Sequence, residues 1–507
     1  MVNYVYGSDI AGIEARIIRI EADVSDGLPV FDLVGYLNSA VKEARERVRI
    51  SMKNMGIRFP AKRITVNLAP ANVRKEGTSF DLAIAVSLLV AFGYLPFSCV
   101  SDTLIVGELG LDGSLRPVRG ALAMVLEGRS QGIKRFLVPS PNSSECALVP
   151  DIAVYGVECL AETLQFLRGD KEIAPVPCSY SLISKFNHFD KDFSDIAGQE
   201  NGKRAAEIAV SGRHNLLMIG PPGSGKTMLA SRIPTIMPEL DMEEQLALTK
   251  LYSICGMLSP AEPIVRKRPF RAPHHTLTAA ALTGGGRIPV PGEITLASKG
   301  VLFLDELPEF SRDTLEVLRQ PLEEHKVTIS RVGHSYEYPC DCMFLAAMNP
   351  CRCGHFPNRN KCRCTVGEIK RYLSKISEPL LERIDLCVEM GMPDFQFNKN
   401  TGETSDKIRK RVERTIQIQK ERYRGETFSY NSELPGKGIK KYCKLGRDEE
   451  KLLEVFCEEE QCSMRRISRI IQVARTIADM EEAEEITESH LAEAVCFRSL
   501  NRKYWGD

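Results

Sequence analysis

The chain has 507 residues, 67 Lys+Arg against 67 Asp+Glu, 43% hydrophobic and 7% aromatic side chains. The length allows roughly three domains of ~100–200 residues, and the balanced charge excludes both a histone-like basic binder and an acidic solvating chain. Sixteen cysteines in so long a chain are too sparse for a small disulfide scaffold.

The opening MVNYVYGSDI has no basic segment leading into an apolar core and does not read as a secretory signal. Residues 1–170 mix alternating strand patterns such as Arg63–Leu68 with apolar helical runs and Gly/Asp turns, an α+β pattern. The longest apolar stretch, Leu82 to Val100, is broken by Ser87, Gly93, Pro96 and Ser98. A membrane span needs ~20 apolar residues, so this reads as a buried helix ending at Phe92–Gly93, and no membrane partner is expected. Residues 171–191 hold two prolines and no sustained period and read as a linker. Residues 192–395 alternate helical runs with buried strands, Leu216–Ile219 and Val301–Leu304, which argues for an α/β core with a mainly parallel sheet. Residues 396–507 are helical and charged, ending in a three-helix-like tail. Within them, 402–447 carry thirteen basic against six acidic residues, which suits a solvated helical face or one turned to phosphates.

The strongest motif is Gly220-Pro221-Pro222-Gly223-Ser224-Gly225-Lys226-Thr227 directly after the apolar strand. Its glycines let the backbone N–H groups turn toward phosphates, Lys226 reaches the β/γ-phosphates, and the Thr227 hydroxyl ligates Mg²⁺. About eighty residues on, a buried strand ends in Asp305 and Glu306. After a P-loop, the first carboxylate suits the Mg²⁺ shell and the second suits polarising the attacking water. A further strand, Phe344–Met348, delivers Asn349, whose amide would orient that water; a plain Asn-Pro turn is the alternative.

These residues resemble the AAA+ ATPases, and the stretches Arg268–His275, Ala281–Gly286, Pro291–Glu293, Gly300–Glu306 and Leu380–Leu386 resemble the magnesium-chelatase-like YifB/ComM family over essentially the whole chain. The resemblance implies a P-loop core with a helical lid, ATP and Mg²⁺ as cofactors, and a cytoplasmic homo-oligomeric ring, most simply a hexamer, with ATP sites at subunit boundaries. It implies sensor 1 at Asn349, the arginine finger at Arg383 and the sensor-2 arginine at Arg465. Arg383 has an alternative as an ion-pair partner of Asp385, and Arg466, Arg469 and Arg475 compete with Arg465. The family's work implies helicase or branch-migration activity on recombination intermediates, with single-stranded or branched DNA as partner. Three rivals stay open: a magnesium-chelatase-like motor acting on a protein or porphyrin-metallation partner, an ATP-dependent protease, and a nucleotide-switched binding module.

In ring motors of this group, insertions project into the pore. Here Lys326–Arg331 and Tyr336–Met343 read as a β-hairpin around 332–335, and Arg271, His274, His275, Lys326, Arg331 and His334 are candidates for the DNA backbone. The alternative for His274 and His275 is packing within the insert. Cys351-Arg-Cys353 and Cys362-Arg-Cys364 supply four thiolates in one loop, a set suited to tetrahedral structural Zn²⁺, with His355 as a substitute ligand and a reduced, metal-free loop as the alternative.

In the N-terminal domain, Lys75–Asp81, Gly107–Val118 and Gly132–Pro139 are similar to the Lon protease catalytic domain, whose Ser–Lys dyad needs an amine beside the hydroxyl. Ser79 falls at the nucleophile position, but the base position holds Leu122, and nearby Arg119 stays protonated. A protease fold reused as scaffold is expected, with Ser79 serving as a helix N-cap.

Overall fold

The computed structural model describes residues 3–178, 189–259, 261–286, 289–331, 334–358, 360–392, 402–460 and 462–505. Residues 179–188 of the expected linker and 396–401 at the start of the helical segment lie outside the described residues. The chain forms two compact units: residues 1–186 with 241–266, and residues 187–240 with 267–507.

The first unit is built on a seven-stranded sheet in the order Val30–Val34, Arg63–Ala69, Glu14–Ser25, Tyr4–Ala11, Thr103–Ile105, Arg135–Pro139, Ala153–Val157. Glu14–Ser25 pairs antiparallel with both its neighbours, and the other pairings are parallel. Helix Asp81–Ala91 is apolar but for Asp81, which pairs with Arg47, and Ser87, which donates to the Ile84 carbonyl, and it is buried at every position but its last, as a helix with no polar face must be. It ends two residues before Gly93, whose φ of +79° favours glycine. The sheet carries a separate apolar cluster on each face, one including residues of Ser39–Asn54, Asp81–Ala91 and Leu160–Arg168, the other residues of Ala121–Ser130. Helix Met242–Ile254 docks on this second cluster through Leu246 and Ile254, and the Gly120 N–H donates to the Ser253 carbonyl at 3.0 Å. A sequence reading that runs 192–395 as one core does not anticipate this excursion, because Leu246 and Ile254 match that core in hydropathy and only their partners differ.

The second unit holds a five-stranded parallel sheet in the order Phe270–Arg271, Val301–Leu304, Met343–Met348, Leu216–Ile219, Leu386–Glu389. The three middle strands are buried throughout, as a parallel sheet covered on both faces requires. The C-terminal segment forms the helices Ser405–Arg422, Gly436–Tyr442, Arg447–Glu460, Met464–Met480 and Glu488–Trp505, largely helical as expected, with the last three making up the three-helix tail. Ile470, Val473, Ala474 and Ile477 share one apolar cluster with Leu216, Met218 and Leu345, so these helices help bury the sheet. Much of their positive charge is paired: Arg411 with Glu207 and Glu403, Arg422 with Asp479, Arg414 with Glu482, Lys441 with Glu426. That favours the solvated, self-compensated face over a phosphate-facing one. The hairpin pairs Lys326–Arg331 with His334–Pro339. Its second strand starts two residues earlier than the sequence suggested and ends before Cys340, because Asp341 turns away to pair with Arg213 and Lys299. Among the described residues, no helix is long and apolar enough to cross a membrane.

Candidate nucleotide site

The parallel register brings the ends of four strands to one edge: Ile219 lies opposite Met348, and Leu304 opposite Ala346. Whatever follows each strand therefore converges there, in the crevice outside the carboxyl ends where open α/β sheets bind ligands. The P-loop leaves Ile219, and Gly223 and Gly225 take φ of +80° and +90°, a turn that glycine adopts without steric penalty. Gly220 must also be glycine, since a Cβ there would overlap the Met390 carbonyl.

Lys226 is buried to 8% exposure, and its Nζ donates to the carbonyls of Gly220 at 2.8 Å and Pro221 at 3.0 Å and to Asn349 Oδ1 at 3.2 Å. Burial lowers its pKa, while Asp305 and Glu306 act to raise it. The Thr227 hydroxyl donates to Asp305 Oδ2 at 2.6 Å, so the two residues expected to hold Mg²⁺ stand side by side. Asp305 Oδ1 accepts the Glu306 N–H at 2.9 Å, and Glu306 itself takes φ 52°, ψ 48°, a left-handed conformation that costs a non-glycine residue about 1–3 kcal/mol. Such strain at the candidate base, beside a buried lysine, two hydroxyl–carboxylate ligands and the partnerless buried Ser224 hydroxyl, is a donor set that fits a nucleotide with its Mg²⁺. Lys226 and the P-loop amides would hold its phosphates, and Thr227 and Asp305 its metal ion.

The arginines lie elsewhere. Arg383 precedes strand Leu386–Glu389, at the opposite edge of the sheet from the P-loop. It is 8% exposed and donates to the carbonyls of Arg319 at 2.9 Å and Pro379 at 2.6 Å and to Glu323 Oε2 at 2.6 Å. Arg465 binds the other oxygen of the same carboxylate. Asp385, the alternative ion-pair partner for Arg383, is paired with Arg469 at 3.2 Å. Arg466 pairs with Glu460 and Arg475 with Asp479, which leaves Arg465 as the arginine grouped with Arg383.

Two of the proposed DNA contacts have carboxylate neighbours, and one of these is the candidate base. Arg271 forms a two-pronged ion pair with Glu293, at 2.6 and 2.7 Å. His275 Nδ1 stands 3.5 Å from Glu306 Oε2, and its ring lies 4.0 Å from that of His274. Thirty residues separate His275 from Glu306, and spacing alone carries no hint of the contact; it follows from strand Phe270–Arg271 pairing beside Val301–Leu304. Lys326 pairs with Glu337 across the exposed hairpin. The side chains of Arg331 and His334 lie outside the described residues. Sequence reasoning also missed Glu323, the shared partner of the arginines, and Gln199, whose amide donates to the Ser224 carbonyl at 2.9 Å.

Cys351, Cys353, Cys362 and Cys364 place their sulfurs within 4.8 Å of one another, and His355 is not in the group. In the first unit, Ser79 is 5% exposed and its hydroxyl donates to the Ser8 carbonyl at 2.7 Å. It is not a side-chain cap, because the helix N-cap is Phe80. Leu122 is fully buried in an apolar cluster, and the buried Lys75 ammonium is committed to the Pro70 carbonyl.

The sequence family described as magnesium chelatase, subunit ChlI, matches residues 192–398, with subunit ChlI of Mg-chelatase at 20–142 and the ChlI C-terminal region at 402–498. The protein YifB of Salmonella typhimurium is 42% identical over 494 residues, 97% of this chain and 96% of the relative. The competence protein ComM of Haemophilus influenzae is 40% identical over 504 residues, 98% of this chain and 97% of the relative. The chain belongs to the YifB/ComM family. Its magnesium-chelatase-like core is of the AAA+ type, which implies ATP and Mg²⁺ at the site just described. The chain is also similar in part to the peroxisomal Lon protease homolog 2 of Caenorhabditis elegans, 27% identical over 170 residues, 32% of this chain and 22% of the relative.

Proposed function

We propose that this chain is a ring-forming, ATP-driven DNA motor of the helicase or branch-migration type, acting on recombination intermediates. The observation that carries the reading is the division of the site between the two edges of one sheet: Lys226, Thr227, Asp305, Glu306 and Asn349 at one, Arg383 and Arg465 joined on Glu323 at the other. A site so divided is complete only when a second copy brings its arginine edge to the first copy's P-loop, as a closed ring does at every boundary.

Bound ATP with Mg²⁺ supplies the transferable phosphoryl group. The chain's residues do the rest. Lys226 and the P-loop amides orient the phosphates, Glu306 accepts a proton from water at its carboxylate, Asn349 holds that water, and Arg383 of the adjoining subunit balances developing negative charge. The hairpin bearing Lys326, Arg331 and His334 faces DNA in the pore, and the C-terminal helices serve as the lid. The first unit is a scaffold without peptidase activity, since Ser79 has no amine to take its proton. The name of the ComM relative supports a role in competence. The three magnesium-chelatase matches favour, as a second reading, a motor acting on a porphyrin-metallation partner.

The test is steady-state ATP hydrolysis with no polymer, single-stranded DNA, forked duplex and four-way junctions, beside Glu306→Gln. Stimulation by DNA that is lost in the variant is expected. A rate indifferent to every DNA but raised by porphyrin would sink the DNA reading in favour of the second.

A further inference from the structure

The strand Met343–Met348 feeds two things in immediate succession: Asn349, which binds Lys226, and the cysteine loop that begins at Cys351. The segment 351–364 holds a single large apolar residue, Phe356, too little to fold around a core of its own. Its sulfurs nonetheless converge. Cys351 lies 3.4 Å from Cys353 and 3.8 Å from Cys362, and Cys353 lies 3.6 Å from Cys362. A tetrahedron of ~2.3 Å zinc–sulfur bonds places its sulfurs ~3.8 Å apart, whereas a disulfide would need ~2.05 Å. The Phe356 N–H also donates to the Cys351 sulfur at 3.4 Å, a bond that favours thiolate.

This loop presses on the P-loop. Gly354 takes φ +77°, and a Cβ there would overlap the ring of Pro222. Only a residue without a side chain lets the two backbones approach so closely. The P-loop is thus flanked on one side by the strand end, where the Gly220 N–H donates to the Met348 carbonyl at 3.2 Å, and on another by the cysteine loop.

We infer that a zinc ion held by Cys351, Cys353, Cys362 and Cys364 braces the P-loop through the Gly354–Pro222 contact, so that metal occupancy sets the affinity of the site for nucleotide. The inference rests on the ATP-binding reading of the P-loop and not on DNA as the substrate. Binding converts thiols to thiolates, and the protons leave to solvent. With the metal gone, the segment has no internal reason to keep Gly354 against Pro222, and the loop that must hold its amides toward phosphate loses a wall.

The test uses the full chain and no DNA. Metal content is measured by mass spectrometry, and binding of a fluorescent ATP analogue is titrated before chelation, after chelation, and after return of Zn²⁺ alone. About one zinc per chain and a reversible loss of about tenfold or more in nucleotide affinity on chelation are expected. Because Cys362→Ser with Cys364→Ser is exposed to misfolding, Gly354→Ala is the companion variant: it is expected to keep its zinc and still bind the analogue more weakly. Failure to retain or take up Zn²⁺ would overturn the inference, as would removal of zinc with unchanged affinity. A zinc-loaded chain that binds no ATP analogue at all would overturn the ATP-site reading itself, and the inference with it; indifference to DNA would touch neither.

Discussion

Replacing Arg383 by alanine separates a structural anchor from a residue that acts on a neighbour's nucleotide. Strand Leu386–Glu389 runs parallel to Leu216–Ile219 in register, and Glu389 sits level with the start of the P-loop. Three rises of ~3.3 Å put Leu386 ~10 Å behind that level, and Arg383 lies three residues further back, its guanidinium held by Glu323 and two carbonyls. In its own subunit the guanidinium is committed to Glu323 and the carbonyls of Arg319 and Pro379, and Lys226 to Gly220, Pro221 and Asn349. Arg383→Ala is therefore expected to leave nucleotide affinity of the isolated chain intact, to cut hydrolysis by about 10³-fold or more, and to cost about 2–4 kcal/mol in stability from the lost charge-assisted bonds. Lys226→Ala, by contrast, abolishes nucleotide binding in its own subunit. Mixing the two inactive variants in equal amounts makes rings in which roughly a quarter of boundaries pair an intact P-loop with an intact arginine. Steady-state hydrolysis in the mixture should recover to about that fraction of the wild-type rate. A mixture no more active than either parent, with rings confirmed by light scattering, would refute the placement of Arg383 across a subunit boundary.

His275→Ala removes the ring 3.5 Å from Glu306; hydrolysis is expected to fall by about tenfold or more with nucleotide affinity unchanged, and equal loss of affinity would assign His275 to binding instead. Burial raises the Asp9 pKa to about 6, against the opposing pull of the Glu76 backbone, Arg16 and Lys75. The folded chain therefore binds more protons than the unfolded between pH ~4 and ~6, so stability falls as pH rises through that window. Asp9→Asn should remove this slope and add about 2–3 kcal/mol at pH 7, read by denaturant titration at several pH values. Asp385 is the opposite case: burial would raise it, but Arg469 and His214 hold it down to about 2. Its contribution of about 2–3 kcal/mol is present above pH ~4 and lost as pH falls toward 2, and Asp385→Asn should lose that acid sensitivity along with stability at neutral pH.

Local chemistry made much of the site legible. A glycine-rich turn after an apolar strand suits backbone amides to phosphate, so Gly220 to Thr227 stood out as candidates, and the fold sets Thr227 beside Asp305. The buried helix at 81–91 was legible because a run with no polar face has none to give to water. Four cysteines in fourteen residues were legible because only so many contour lengths separate them, and their sulfurs do converge. What the sequence leaves open is a residue's partner when that partner sits on another element. Arg271 and His275 read as candidates for a phosphate backbone, and the fold gives them carboxylate neighbours in Glu293 and Glu306, with Phe270–Arg271 paired beside the acidic strand. Ser79 looks like a helix cap, yet a facing strand offers the Ser8 carbonyl.

The sequence by itself determined the chemical capacity of this protein: residue types and short spacings dictate which groups are suited to phosphate, which are suited to metal and which must be buried, because those choices are settled within a turn or a strand. Only the tertiary structure decided which groups share a partner. Glu323 binds two arginines 82 residues apart in the chain, helix Met242–Ile254 joins the first unit, and Gly354 meets Pro222. Each of these contacts is long in sequence and short in space, and such contacts are fixed by how strands order in a sheet and by which apolar surface each helix finds to cover, quantities that no local pattern encodes.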